Sequence, residues 1–197
     1  GAVAPGDIAV GVIVGRAAEY FDFSVYGIAS ALVFPALFFP DQAQLPAMLL
    51  SFAVLALGFL ARPLGTIAGM AIQRVWGRAG KLIAALMLMG SATCAIALLP
   101  GTGKIGFAAV WLLMICRVAQ GLGAGAAWDG LPSLLAIHAP PNRRGGYAML
   151  AQLGAPVGFA LAAALFAMLI SRLSPQEFLD WGWRFPFFAA FSINVVA

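Results

Sequence analysis

Residues 47–72 read AMLLSFAVLALGFLARPLGTIAGMAI and contain a single charged side chain, Arg62. A helix needs about 20 largely apolar residues to cross the hydrocarbon core of a bilayer, because each residue adds only about 1.5 Å. The stretch is long enough to cross once. We therefore predict a membrane-spanning helix here, and the same pattern recurs on both sides of it.

Further apolar runs predict an all-α fold, a polytopic transmembrane helical bundle that occupies residues 1–197 as one unit. The predicted helices cover about 10–38, 47–72, 82–100, 107–137, 147–170 and 185–197. The last run is too short to cross a bilayer, so we expect the chain to be a fragment of a longer protein.

The composition excludes an ordinary soluble domain. Apolar residues make up 63% of the chain and charged residues 9%, against about 45–50% and about 25% in soluble domains. So few charges cannot cover a surface that faces water, whereas a lipid bilayer suits them. The net charge of +4 arises from basic residues at the ends of apolar runs. They form no basic stripe with aromatic residues, so we expect no nucleic-acid partner.

The distribution of basic residues predicts the orientation. The loop after the second helix holds Arg74, Arg78 and Lys81, and the loop after the fourth holds Arg143 and Arg144. Lysine and arginine concentrate in short cytoplasmic loops. We therefore predict a multi-pass protein of the cell membrane with a cytoplasmic amino terminus.

Residues for catalysis or metal binding are scarce. The chain has one histidine, His138, and two cysteines, Cys94 and Cys116, without the spacing of a metal site. A membrane-embedded enzyme would need a nucleophile with a base, or a metal cluster. We predict no catalytic residue, no metal site and no cofactor.

The first predicted helix carries charges on one face. Arg16, Glu19 and Asp22 recur every three residues, and Tyr26 follows four residues later. An ionisable side chain at membrane depth costs at least about 2.5 kcal/mol, so such residues face a cavity and pair there. Two interpretations remain: a static ion-pair network, favoured for Arg16 and Arg62, or acids that bind and release protons, favoured for Glu19 and Asp22.

The fourth predicted helix has a second polar face. Arg117 and Gln120 lie on one side, and a row of small or polar residues at steps of four lies beside them, consisting of Gly121, Gly125, Asp129 and Ser133. For Arg117 we favour a functional role, and for Asp129 a functional and a structural role remain equally open. Glycines spaced like those of GLGAG at 121–125 and GAPVG at 154–158 also let helix backbones approach closely.

Five motifs resemble those of the metabolite:proton symporters within the major facilitator superfamily. In chain order they are EYFDF at 19–23 with Tyr26-Gly27, SFA at 51–53 with GFLARPLG at 58–65, RVAQG at 117–121, APPNRRG at 139–145, and WGWRFP at 181–186. Their order and spread over nearly the whole chain make the resemblance specific.

The resemblance implies the amino-terminal half of a twelve-helix carrier, which moves a small carboxylate or zwitterion together with a proton by alternating access. Its partners would be that solute, the proton, the lipid bilayer of a bacterial inner membrane and a missing carboxy-terminal half. By the family pattern, the proton-coupling residues are Asp22, Glu19 and Arg117. Residues predicted to contact the substrate are Arg117, Gln120, Tyr26, Asp129 and Gln152. The predicted cytoplasmic gating loop contains Gly69, Arg74, Gly77, Arg78, Arg143 and Arg144.

The chain departs from the family in the gating loop. The family places an aspartate after the second helix, where this chain has Gln73 or Arg74. It also places an acid before Ala-Pro at the end of the fourth helix, where Ile137 or His138 stands here. Alternatives therefore stay open at this point: a channel, a uniporter or a nontransporting receptor on the same bundle. Saturable counterflow would separate a carrier from a pore.

Overall fold

The structure is a computed structural model and describes residues 5–127, 142, 145–146, 149 and 152–196. Within these ranges the chain forms helices and turns, with no strand. In chain order the elements are α1 (Pro5–Leu32), α2 (Phe34–Phe38), α3 (Gln44–Leu98), α4 (Thr102–Ile105), α5 (Ala108–Ala127), α6 (Gly154–Arg172), α7 (Pro175–Glu177), a π-helical turn (Phe178–Gly182) and α8 (Arg184–Val196). The prediction of an all-α bundle is confirmed.

Helix α3 consists of two membrane-length segments joined at a sharp bend. The bend lies at Gly77, whose φ of 73° and ψ of −178° interrupt the helical backbone. We call the segments α3a (Gln44–Gly77) and α3b (Gly80–Leu98). Together with α5 and α6, they are the four described helices that are long and apolar enough to cross a bilayer.

Helices α1 and α8 do not meet these criteria of length and apolar composition, each for a different reason. Helix α1 has 28 residues, enough for a crossing, but it includes the charged residues Arg16, Glu19 and Asp22. Helix α8 has 13 residues and is short for a crossing.

Several helix bounds differ from those predicted. The first predicted helix, 10–38, is interrupted at Val33 because Pro35 has no N–H to continue the helical hydrogen bonds. The predicted loop after residue 72 is shorter, since α3a continues to Gly77 and α3b begins at Gly80. The fourth helix is described only to Ala127, so its predicted end at residue 137 lies outside the described residues. The fifth continues to Arg172, two residues past its predicted end.

Close helix contacts depend on glycines, as the sequence predicted. A side chain on Gly121 would collide with the backbone of Gly58, and one on Gly125 with the backbone of Arg62. We call this contact between α5 and α3a the glycine seam, which also includes Gly65 against Leu122. Gly123 faces the other way, where a Cβ would lie 2.8 Å from the carbonyl oxygen of Ala85. Helix α5 is therefore held between α3a and α3b.

Helix α1 packs on α6 in the same manner. A Cβ on Gly154 would lie 2.6 Å from the Cβ of Arg16, and one on Gly158 would lie 2.6 Å from the carbonyl oxygen of Ala17. Beyond this contact, edge-to-face aromatic pairs join α1 and α2 to α8. The rings of Tyr26 and Phe34 are 5.1 Å apart, and the ring of Tyr26 also lies 6.4 Å from that of Phe187 in α8. These contacts place the polar face of α1 inside the bundle.

Candidate functional site

A group of polar side chains is buried where α1, α3b and α5 meet. It consists of Asp22, Thr93, Gln120 and Arg117, which are between 0 and 5% exposed. We call these four residues the polar cluster. Burial of so many polar groups at membrane depth is costly unless each has partners. The hydrogen bonds of the cluster supply them.

The cluster forms a chain of hydrogen bonds that runs from the arginine to the aspartate. Arg117 donates from Nη1 to Oε1 of Gln120 at 3.1 Å. Gln120 donates from Nε2 to the hydroxyl oxygen of Thr93 at 2.7 Å. That hydroxyl lies 3.0 Å and 3.3 Å from the two carboxyl oxygens of Asp22. Among the described residues, Arg117 and Asp22 make no direct salt bridge, so their charges are connected through two neutral side chains.

The guanidinium of Arg117 is held on two further sides. Its Nε donates to the carbonyl oxygen of Leu55 at 3.2 Å. Its central carbon lies 4.1 Å from the centre of the Tyr26 ring, a cation–π contact. Gly58 makes this position possible, because a Cβ there would lie 2.6 Å from the Nε of Arg117. Gly58 therefore contacts both Gly121 in the glycine seam and Arg117 in the polar cluster.

Three further charged residues of α1 and α3a lie beside the cluster: Arg16, Glu19 and Arg62. Glu19 accepts a hydrogen bond from Nη1 of Arg16 at 2.7 Å, which forms an ion pair one turn before Asp22. The guanidinium of Arg62 lies 5.1 Å from the ring centre of Phe59 and 5.7 Å from that of Phe23. The guanidinium of Arg117 also lies 5.7 Å from the ring centre of Phe23, so both arginines contact this ring.

Two cavities differ sharply in size. A small one of about 20 Å³ touches the polar cluster and is lined by Glu19, Asp22, Arg62, Arg117 and Gln120, among others. That volume suits one water molecule, not an organic solute. A larger one of about 670 Å³ lies among the end of α2, the turn after it, α3a, α4 and α5. Its lining is mostly apolar, with Asp41, Gln42 and Thr102 as polar members.

The structure brings together most of the residues predicted for the site. Asp22, Arg117 and Gln120 meet in the polar cluster, Tyr26 lies under Arg117, and Glu19 lies beside them. Tyr26 is fully buried, and its hydroxyl has no hydrogen-bond partner among the described residues.

The remaining predicted residues either lie apart from this group or fall outside the described residues. Gln152 is exposed, and Asp129 lies outside the described residues, as do Arg143 and Arg144. In the predicted gating loop, Arg74 and Gly77 are exposed. Gly69 packs against Ala126, where a Cβ would be 3.0 Å away, and Arg78 continues the helical backbone after Gly77.

Sequence reasoning missed Thr93. Its hydroxyl also lies 3.0 Å from the carbonyl oxygen of Met89, four residues earlier, as is common for threonine in a helix. The segment GSATCAIA at 90–97 has no charge to mark a functional face. Only the packing of α3b against α1 and α5 reveals that the hydroxyl lies between Asp22 and Gln120.

Comparisons with known proteins agree on a family. The family model described as sugar (and other) transporter matches residues 8–197. The inner membrane metabolite transport protein YhjE of Escherichia coli (strain K12) is 43% identical over 181 residues, which are 91% of this chain and 41% of that protein. The shikimate transporter of the same organism is 37% identical over 188 residues, 95% of this chain and 42% of the relative. The proline/betaine transporter of that strain is 34% identical over 182 residues, 92% of this chain and 36% of the relative.

A solved structure supports the fold. The xylose transporter XylE from E. coli, in its inward open conformation, superimposes with a TM-score of 0.80 at 18% identity. The match covers 98% of this chain and 46% of that one. This chain thus spans less than half the length of the relatives it matches, and its helices follow the fold of an amino-terminal half of a major facilitator carrier. The chain belongs to the sugar (and other) transporter family of the major facilitator superfamily, a family of membrane transporters and not of enzymes.

Proposed function

We propose that this chain is the amino-terminal half of a secondary active transporter that moves a small organic carboxylate or zwitterion together with a proton. The observation that carries the proposal is the buried chain of hydrogen bonds from Arg117 through Gln120 and Thr93 to Asp22. A buried acid that is connected to a buried arginine can change its protonation when its surroundings change. Coupling of this kind would let a proton gradient drive the uptake of a solute.

The chemistry of Arg117 favours a substrate with a carboxylate. A guanidinium can hold a carboxylate through two parallel hydrogen bonds. In the structure, one terminal nitrogen of Arg117 and its Nε bind neutral acceptors, Gln120 and the carbonyl oxygen of Leu55. A carboxylate from the solute would be a stronger acceptor than either. Relatives whose names include shikimate, proline and betaine fit this class, since each of those compounds carries a carboxylate.

The small cavity at the cluster implies that transport requires movement. Space of about 20 Å³ admits no organic solute. We propose that the solute reaches Arg117 when the two halves of the whole carrier rock around a site between them. The missing carboxy-terminal half would supply the other wall of that site.

Individual roles follow from this proposal. Asp22 and Glu19 would exchange the proton, and Arg117, with Gln120 and Tyr26, would bind the solute. Asp129 and Gln152 remain proposed substrate contacts. The proposed cytoplasmic gating loop contains Gly69, Arg74, Gly77, Arg78, Arg143 and Arg144. We propose a bacterial inner membrane location with the amino terminus in the cytoplasm, in line with the name of the YhjE relative and the basic loops.

The test is uptake of small carboxylates and zwitterions by the full-length carrier in proteoliposomes, with and without an inward proton gradient. We expect saturable uptake that the gradient stimulates, and that Asp22→Asn and Arg117→Ala abolish. The matched controls are Asp180→Asn and Arg172→Ala, which make the same chemical changes at exposed positions. Both controls should retain wild-type uptake.

Three results would overturn the proposal. Uptake that ignores the gradient and tolerates Asp22→Asn would indicate a uniporter. Flux that neither saturates nor shows counterflow would indicate a channel. Absence of flux for every solute, with tight binding of one, would indicate a receptor.

A further inference from the structure

The hydroxyl of Thr93 has more neighbours than it can serve at once. Gln120 donates to it, which uses one of its two lone pairs. Its single hydrogen can then reach either the carboxyl group of Asp22 or the carbonyl oxygen of Met89, both 3.0 Å away. Two arrangements of the same heavy atoms are therefore possible, and they differ only in where the hydrogens lie.

The charge of Asp22 selects between these arrangements. An ionised carboxyl group only accepts, so the hydroxyl of Thr93 must donate to it. A protonated one can donate to the second lone pair of Thr93, and the hydrogen of Thr93 then turns to the carbonyl oxygen of Met89. Every group keeps a partner in both states, so the change requires rotation of one hydroxyl and no movement of the backbone.

The two arrangements act differently on Arg117. When Asp22 is ionised, all donors point the same way, from the cation through Gln120 and Thr93 to the anion. Hydrogen bonds aligned in this way polarise and strengthen one another. When Asp22 is protonated, the direction reverses at Thr93 and the series ends on a neutral carbonyl group. The bond from Arg117 to Gln120 is then weaker, and a solute carboxylate competes for the guanidinium more easily.

We propose that Thr93 is a positioning residue that transmits the protonation state of Asp22 to Arg117 through Gln120. This inference rests on the proton coupling proposed above and names the residue through which that coupling acts. It explains how an acid and an arginine without a direct salt bridge respond to each other.

Other charged or titratable groups near Asp22 do not offer this route. On α1 these are Glu19, paired with Arg16, and Tyr26, whose ring lies against Arg117. Helix α3a contributes Arg62, and α5 contributes Arg117 and Cys116. Helix α3b carries Lys81 near its start and Cys94 beside Thr93, and α8 carries Arg184 at its own start. In the part of the chain that the structure describes, Thr93 alone bonds both Asp22 and the partner of Arg117.

The experiment compares Thr93→Val with Thr93→Ser in the full-length carrier. Valine keeps the shape but removes the hydroxyl, whereas serine keeps the hydroxyl. Thr102→Val is the matched control, because that hydroxyl also bonds a carbonyl oxygen, the partly buried one of Leu37, outside the cluster. Uptake is measured across a range of pH, with a proton gradient, and as solute counterflow without one.

We expect Thr93→Val to lose about tenfold in stimulation by the gradient, the effect of one hydrogen bond to a charged group. Its uptake should vary little with pH, while counterflow stays within about threefold of wild type. Thr93→Ser and Thr102→Val should retain the wild-type pH profile. If the valine variant does not elute as a folded protein, Thr93→Cys, with only a weak donor, replaces it and carries the same expectation.

A wild-type pH profile and wild-type gradient stimulation in the valine variant would overturn the inference, as would equal losses in the valine and serine variants. These outcomes differ from a failure of the proposed function, in which the wild-type carrier itself shows no stimulation by the gradient.

Discussion

Helix α5 has two sides that make different kinds of contact: the glycine seam and the side that carries the polar cluster. On the glycine seam, Gly121 and Gly125 press against the backbone of α3a. The contact depends on close packing, together with one hydrogen bond from the hydroxyl of Thr66 to the carbonyl oxygen of Gly125 at 3.0 Å. In the polar cluster, Arg117 and Gln120 depend on the direction and charge of hydrogen bonds. The seam leaves no room for an added side chain, whereas the polar groups of the cluster depend on their hydrogen-bond partners. Gly58 lies against Gly121 in the seam and against Arg117 in the cluster, so the absence of a side chain there serves both contacts.

The largest effect should come from a methyl group on the seam. We expect Gly121→Ala to push α5 off α3a and to prevent recovery of folded carrier, because the added carbon would overlap the backbone of Gly58. Gly27→Ala is the matched control, since no atom lies within 4 Å of a Cβ there. That change should be neutral or stabilising by up to about 1 kcal/mol. Size-exclusion profiles and thermal unfolding in detergent measure both, and equal behaviour of the two variants would contradict the seam.

A smaller effect should follow from exchange of the cation in the cluster. We expect Arg117→Lys to fold but to lose at least about tenfold in transport, because an ammonium group cannot bind Gln120 and the carbonyl oxygen of Leu55 in the same geometry. Initial uptake rates measure the loss. Wild-type rates in the lysine variant would show that only the charge matters.

A third variant tests the bend at Gly77 that joins α3a to α3b. Gly77 has a φ of 73°, a backbone conformation that residues other than glycine rarely adopt. We expect Gly77→Ala to destabilise the carrier by about 1–3 kcal/mol. Gly103→Ala is the control, because that glycine has neither a positive φ nor a near neighbour. Thermal unfolding compares them, and an unchanged midpoint for Gly77→Ala would contradict the bend.

The smallest effect concerns a turn remote from both regions. The backbone N–H and the hydroxyl of Ser174 bond the carboxyl group of Glu177 and hold its pKa below its usual range. A depressed pKa means that this stabilisation is present at neutral pH and is lost as the pH falls through the folded value. Ser174→Ala should raise the pKa of Glu177, as NMR titration would measure, and should leave transport unchanged. An unchanged pKa would show that the capping contact is absent in solution.

The sequence predicted the seam better than the cluster, for a physical reason. Glycines at 121 and 125 recur with the helical period, and that spacing alone indicates a close contact. The sequence also predicted the charged faces of α1 and α5, and the structure brings Asp22 and Arg117 to one place. The sequence did not predict a role for Thr93, because a hydroxyl in an apolar helix usually bonds the backbone of its own helix. Its role depends on how three helices meet.

Helix ends show the same limit. The interruption of the first helix before Pro35 follows from a missing N–H, yet the apolar run continues across it. The bend at Gly77 requires a positive φ that the amino-acid pattern does not reveal by itself. Both features depend on local backbone geometry and not on hydrophobicity.

Proton-coupled transport is tested most directly by measuring the movement of protons during uptake of the solute. Proteoliposomes that contain the full-length carrier and an internal pH-sensitive dye would be exposed to a solute that the carrier transports. If solute and proton move together, the lumen should acidify in step with uptake by the wild-type protein and by Asp180→Asn, and Asp22→Asn should abolish this acidification. Uptake of solute without acidification by the wild-type carrier would contradict proton-coupled transport.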